Sequence, residues 1–131
     1  MAEINAGTPD VVLLPGDFVI QGIVGGEHTP PEAIAAELAA LKAPLGVYAT
    51  LGNHDYDSAV GGLSAYNSYF TWLPTTPDSQ RRWYDFTVGD VHFFMLDGKG
   101  NQSTQSAWLS TAVPASTSAW NIAVIHQAPY S

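Results

Sequence analysis

The feature that most constrains this chain is one arrangement met at three separated places: a short apolar run that stops on a side chain able to bind a metal. Val11-Val12-Leu13-Leu14 runs into Pro15-Gly16-Asp17, Tyr48-Ala49-Thr50-Leu51 runs into Gly52-Asn53-His54-Asp55, and Ile122-Ala123-Val124-Ile125 runs into His126. Short apolar runs bounded by turn residues read as buried strands. In open α/β sheets the crevice at the carboxyl ends of such strands is where ligands and chemistry collect. The chain is therefore expected to bring carboxylates, an amide oxygen and imidazoles together at one end of a sheet. Taken singly, a strand-ending Asp and a Gly-Asn dipeptide are ordinary turn formers. Their combination, in this order, is what favours a site.

The segments between these strand ends read as their scaffold. Residues 1–8 read as the tail of a helix ending at Gly7, so that the chain opens mid-architecture, and Pro9-Asp10 starts the first strand. Residues 18–26 are apolar and glycine-rich with little periodicity, which predicts a loop wrapping one side of the site. Thr29-Pro30-Pro31-Glu32 has the form of a capping box with proline at the first helical position. Ile34, Leu38 and Leu41 then mark one face of a helix that stops before Pro44. Strand, helix and strand over this length predict a parallel βαβ unit with a right-handed crossover. Residues 58–80 carry Tyr66, Tyr69, Phe70, Trp72 and Leu73 among Gly, Ser, Thr and Pro, and read as an irregular but packed flap. Two β-rich runs on either side of Gly89-Asp90 predict a hairpin over 83–96, ending at Asp97-Gly98. Thr104 is expected to cap a short helix through Trp108-Leu109, with a turn over 114–118 before the last strand at 120–125.

Composition sets the outer limits. With 131 residues, 46% of them apolar and 12% charged, the chain is long enough for a core and reads as a single domain over 1–131. Twelve acids against four bases leave a net charge of −8, which argues against a nucleic acid or an anionic membrane as partner. The same charge means that a phosphate-bearing substrate needs a bound cation to meet it. With no cysteine, disulfides and thiolate zinc sites are excluded, and redox chemistry does not reveal the compartment. No apolar run reaches membrane-spanning length and the first residues do not form a signal peptide, so the chain reads as soluble with its location open.

Asp17, Asn53, His54, Asp55 and His126 carry the expected chemistry. Aspartate can bridge two cations, asparagine offers a neutral oxygen and histidine a neutral nitrogen, a mixed set that suits Mn, Fe or Zn. Two such ions a few ångströms apart clamp a phosphoryl group and turn a bound water into a hydroxide nucleophile near neutral pH. His54, oriented by Asp55, is placed to stabilise transition-state charge or to protonate the leaving oxygen. His92 lies mid-strand beside Phe93 and Phe94 and reads as a hydrogen-bonded or edge-facing residue rather than a ligand. His28 reads as solvated. Of the adjacent Arg81 and Arg82, which face opposite ways before a strand, at most one could hold a substrate phosphate.

The order Gly16-Asp17, Gly52-Asn53-His54-Asp55, the strand 91–97, Trp108-Leu109 and then His126-Gln127-Ala128-Pro129 resembles the calcineurin-like metallophosphoesterase superfamily over nearly the whole chain. Within it the pattern is most similar to the purple acid phosphatase branch. The resemblance implies a metallophosphoesterase-like α/β/β/α sandwich, here incomplete at both ends. Mostly parallel strands would end at Asp17, Asn53 and His126, with the 83–96 hairpin in a second layer and helices outside. It implies Asp17 as the bridging metal ligand, Asn53 and His126 as ligands of the second metal, His54 as catalytic acid and Asp55 as its partner. The substrate it implies is a phosphate ester, with a phosphomonoesterase-like, dinuclear-metal mechanism.

The chain also departs from that pattern. The family's first strand carries an Asp ligand and its last motif is Gly-His-x-His, and neither is present here. The purple acid branch places a tyrosine three residues after the bridging Asp, where this chain has Ile20. Two readings follow: a metal-dependent phosphoester hydrolase, or a catalytically incomplete remnant that binds metal weakly and acts structurally. A sandwich lacking outer strands exposes sheet edges and apolar faces, so a homo-oligomer is expected.

Overall fold

The computed structural model describes residues 1–18, 29–58, 61–100 and 102–128. The glycine-rich wrap expected after Phe18, together with Ile20, His28 and the tail from Pro129, lies outside them. Among the described residues the chain is a mixed α/β structure with two sheets.

In the first sheet β1 (Val12–Leu14) and β2 (Val47–Ala49) pair in parallel, with Leu13 opposite Tyr48. Helix α2 (Pro31–Ala39) connects them, as the strand-helix-strand pattern predicts. Its N-cap is Pro30 and makes no side-chain cap bond, so Thr29 lies one residue too far out and the capping box does not form. Pro31 has no N–H to satisfy, which removes one of the donors that a cap would serve. Leu38 and Leu41 are buried, and Ile34 packs against the same core from a half-buried position. The short α1 (Ala2–Ala6), ending at Gly7, is tied to the far end of α2 through Asn5. Its amide donates to the Ala40 carbonyl at 2.7 Å and accepts from the Lys42 N–H at 2.9 Å.

The second sheet has the order β3 (Tyr84–Val88), β4 (Val91–Leu96), β5 (Trp120–Ile125). The hairpin is as expected, with Val88 opposite Val91 across the two-residue turn. The last strand differs from expectation: it does not join β1 and β2 but pairs in parallel with β4, from Val91 opposite Trp120 to Leu96 opposite Ile125. A parallel neighbour needs a crossover of about a dozen residues or more. Helix α4 (Gln102–Ala115) supplies it between β4 and β5 with 14 residues. This helix begins before Thr104 and runs past Pro114, longer than the sequence suggests. Gln105 explains the early start: its buried amide accepts the Asp97 N–H at 2.8 Å and donates to the Asp97 carbonyl at 2.9 Å, fastening the first turns to the end of β4. Pro114 falls in the last turn, where its missing N–H removes one hydrogen bond without interrupting the helix centre.

The flap also contains a helix that its composition conceals, α3 (Gly62–Tyr69). Gly, Ser and Asn are weak helix formers, so tertiary packing supplies the stability. Tyr66 and Phe70, four residues apart, are both buried, with ring centroids at 4.8 Å, and Phe18 stands 4.8 Å from Phe70.

Side chains join the two sheets. Tyr84, fully buried on β3, donates its hydroxyl to the Ala49 carbonyl at 2.6 Å and accepts the Ala49 N–H at 3.0 Å. Tyr48 stacks on Phe86 with centroids 3.4 Å apart. The Thr50 hydroxyl donates to the Leu96 carbonyl, linking the carboxyl end of β2 to that of β4. These ties set the strand ends of both sheets beside one another, although the strands belong to different sheets. Among the described residues no helix is long and apolar enough to cross a membrane.

Candidate metal centre

The site begins with two glycines that allow two backbones to touch. A Cβ on Gly52 would lie 2.0 Å from Oδ1 of Asp17, and one on Gly16 (φ +96°) would lie 2.3 Å from the Gly52 nitrogen. Only glycine at both positions lets the turn after β1 rest on the turn after β2. Asp17 itself sits in the left-handed region at φ +57°, a conformation that Asp tolerates better than most residues.

Asp55 holds these turns in place. It is 5% exposed, within the 3-10 turn His54–Tyr56, and its carboxylate is taken up by main-chain donors. Oδ2 accepts from Gly52 N–H at 2.8 Å and Asp17 N–H at 2.9 Å, and Oδ1 accepts from Phe18 N–H at 2.9 Å. Burial pushes this carboxyl above its ordinary value, while the three N–H groups pull it back down. The expected role of Asp55 was to orient His54. Its hydrogen bonds among the described residues instead run to the backbone of the two turns.

Asp17 and His126 meet directly. Oδ2 of Asp17 lies 3.1 Å from Nε2 of His126, and Oδ1 accepts the main-chain N–H of His54 at 3.0 Å. Nδ1 of His126 lies 3.0 Å from the Pro15 carbonyl oxygen. A carbonyl oxygen can only accept, so Nδ1 carries the hydrogen, and Nε2 faces the Asp17 carboxylate, where it donates when protonated and offers a lone pair to a cation when it is not. Metal-bound imidazoles are usually held in this way, with the second nitrogen donating to a carbonyl or carboxylate. Two donor atoms on one ion, each bonded at about 2.0–2.2 Å, stand roughly 3 Å apart when they occupy neighbouring positions. The residues present thus fit one ion between Asp17 and His126, with Asn53 next to His54 in the same turn. No group of three or more His, Asp and Glu side chains suited to a metal occurs among the described residues.

A fourth strand end joins them, the hairpin end at Asp97-Gly98, to which the sequence pattern assigns no part in the site. Phe93-Phe94-Met95-Leu96 stops on Asp97, the same signal as at the other strands, and Asp97 is fully buried. Its Oδ1 accepts the N–H groups of Lys99 at 2.8 Å and Gly100 at 3.1 Å, and Oδ2 accepts the Tyr56 hydroxyl. Burial, then the Asp97 carboxylate, pushes the Tyr56 phenol far above its usual range, so it remains a donor. From this turn the Lys99 ammonium donates to the Asn53 carbonyl at 3.1 Å.

His92 is remote from this centre and fully occupied. Its Nε2 lies 2.7 Å from Asp85 Oδ2 and its Nδ1 2.9 Å from the Ser116 hydroxyl, which ties the hairpin to the end of α4. Arg82 pairs with Asp78 at 2.7 Å, and Arg81 bonds the Leu73 carbonyl and the Asn67 amide.

Comparison with known proteins agrees with this arrangement of strand ends. A 58-residue stretch, 44% of this chain, is 41% identical to the UDP-2,3-diacylglucosamine pyrophosphatase LpxG of Chlamydia trachomatis. That match spans 16% of the relative's own length. No solved structure matches. The family model for calcineurin-like phosphoesterases matches residues 1–131. The chain, whose strand ends converge as that family's motif order implies, belongs to the calcineurin-like phosphoesterases.

Proposed function

We propose that this chain is a metal-dependent phosphoester hydrolase in which Asp17, Asn53 and His126 hold a Fe, Mn or Zn ion and His54 donates a proton to the leaving oxygen. The observation that carries the reading is the 3.1 Å approach of Asp17 Oδ2 to His126 Nε2, with the other imidazole nitrogen committed to the Pro15 carbonyl. When bound, such an ion polarises a phosphoryl oxygen and activates a water. The protein's own part is to hold the donors. Asp55 fixes the two turns, the left-handed backbone of Asp17 aims its carboxylate at His126, and Asp97 anchors the neighbouring turn.

The two-metal form of this chemistry and a phosphomonoesterase specificity belong to the same proposal. They rest on the likeness of the Gly52-Asn53-His54-Asp55 order to the purple acid phosphatase branch, and in that form Asp17 would be a ligand shared by both ions. The Chlamydia relative, a pyrophosphatase by name, supports hydrolysis at phosphorus more generally. We read residues 1–131 as one domain that forms a homo-oligomer, a reading supported by Trp120 and Ile122, which stand 68% and 40% exposed on the edge strand β5.

A second reading is a weak metal-binding module that acts by association. It is favoured by the observation that no three His, Asp and Glu side chains converge among the described residues. Turnover of an aryl phosphate by protein loaded with Mn or Zn separates the two. The hydrolase reading expects a rate above metal and buffer alone that disappears in Asp17→Ala and His126→Ala. A rate that survives both substitutions, or no rate at all, sinks it. Metal content near two ions per chain would favour the two-metal form.

A further inference from the structure

We propose that Lys99 is the specificity-determining residue of this site, receiving a second anionic group next to the scissile phosphate, so that the preferred substrates carry two adjacent phosphates or an equivalent pair of anions. The inference rests on the hydrolase reading and adds the class of substrate.

Only four of 131 residues are Lys or Arg, against twelve acids. Arg82 is paired with Asp78, and Arg81 is bonded to the Leu73 carbonyl and the Asn67 amide. Lys42 lies just before β2, at the opposite end of that strand from Asn53. Arg81 and Arg82 precede β3, whose Tyr84 lies opposite Met95, and so stand near the same end, but both are engaged by these contacts; Lys99 is the basic side chain whose ammonium reaches the turn of the candidate ligands. In a chain of net charge −8, an anion that approaches the Asn53 turn meets this ammonium besides any bound metal.

The ammonium is also held in place. The Asp97 carboxylate accepts the main-chain N–H groups of Lys99 and Gly100, so the turn that carries the lysine is pinned to a buried anchor. The same carboxylate takes the Tyr56 hydroxyl, and the Lys99 ammonium stands 5.4 Å from the centre of the Tyr56 ring, within the range of a cation–π contact. One ammonium hydrogen is directed to the carbonyl of Asn53, the candidate metal ligand, at 3.1 Å. An ammonium has three donors, which leaves hydrogens available to an incoming oxygen. No ion pair joins Lys99 to a carboxylate among the described residues. The neighbouring acids are already engaged, Asp97 by Tyr56 and its own turn, Asp55 by three main-chain N–H groups. A cation bonded to the main-chain carbonyl of the candidate ligand Asn53, with donors left over, suits a phosphate next to the one being hydrolysed. The scissile phosphate itself falls to the metal and His54.

The test compares methylenediphosphonate with methylphosphonate, neither of which can be hydrolysed, by calorimetric titration of the manganese-loaded chain. Three proteins are used: native, Lys99→Met and Lys99→Arg. The quantity read is the ratio of the two affinities within each protein, so chelation of manganese by the bisphosphonate cancels between proteins. For an exposed ammonium the expected loss of that ratio in Lys99→Met is about fivefold, with Lys99→Arg keeping most of it and added salt shrinking the difference. A ratio equal in the native protein and Lys99→Met overturns the proposal. So does a loss common to both ligands, which would show a lysine that only braces the Asn53 turn, and so does failure to bind either phosphonate. The hydrolase reading is judged separately by aryl phosphate turnover. Turnover with an unchanged ratio removes the role of Lys99 alone, and a shifted ratio without turnover removes hydrolysis but keeps Lys99 as an anion receptor.

Discussion

Replacing Asp55 by Asn changes few atoms but breaks the arrangement that joins the two turns. The carboxylate offers Oδ2 to Gly52 and Asp17 and Oδ1 to Phe18. An amide has one acceptor oxygen. With that oxygen at the two-donor position, its NH2 faces the Phe18 N–H, so one bond becomes a donor–donor contact and the other two lose their charge assistance. Hydrogen bonds to a charged group contribute about 1.5–3 kcal/mol each, and an orphaned buried donor costs about 1–3 kcal/mol. Phe18 is half-buried, so water relieves part of the penalty. We expect Asp55→Asn to cost about 2–4 kcal/mol and Asp55→Ala about 3–5 kcal/mol, a large share of the roughly 5–15 kcal/mol available to a domain. Urea titration followed by tryptophan fluorescence measures this, with an unchanged slope required for the comparison. Metal-dependent turnover should fall in the same variants, because Asp17 is aimed by the turn that Asp55 holds. A stability loss under about 1 kcal/mol for Asp55→Asn, within the ordinary range of surface changes, would refute the staple and return Asp55 to the role of orienting His54. In that case the pH profile of turnover, rather than the unfolding midpoint, should move.

Gly52→Ala should abolish metal-dependent turnover and cost about 1–3 kcal/mol in a denaturant titration, because the new Cβ falls 2.0 Å from Asp17 Oδ1; a variant with native metal affinity would show that the turns do not need this contact. Burial alone would raise the Asp78 carboxyl, but the two-pronged Arg82 contact holds it below 3.8. A depressed carboxyl stabilises the fold above the unfolded-state value and loses that contribution as pH falls through the folded-state value. Unfolding at about pH 6 and about pH 2 should therefore show a loss in the native chain that is about 1 kcal/mol smaller in Asp78→Asn; equal losses would count against the pair. For the proposed association, light scattering should report an oligomer that Trp120→Glu dissociates, while a monodisperse native monomer at high concentration would end that proposal.

The candidate positions Asp17, Asn53, His54, Asp55 and His126 could be named from the sequence because each follows from a local rule, and the structure brings Asp17 and His126 within 3.1 Å. An apolar run must be buried, a Gly-Asp or Gly-Asn-His-Asp stop must turn, and an open sheet gathers such stops at one end. The hairpin turn at Gly89-Asp90, the parallel pairing of β1 with β2 and the bounds of β5 follow from the same kind of rule, and the structure agrees with each. Which strands become neighbours was decided elsewhere. The partner of β5 depends on Gln105 fastening α4 to the end of β4, a contact between a side chain and a backbone eight residues away that no periodicity records. The helix at 62–69 forms because Tyr66 and Phe70 find Phe18 across the chain, against the preference of its own glycine, serines and asparagine. Asp55 is the clearest case. In sequence it stands beside His54 and looks like its partner, but the turn that carries Asp17 arrives from 38 residues away with its main-chain N–H groups unmet. A buried carboxylate settles on the donors that lack any other acceptor, and only the folded chain determines which donors those are.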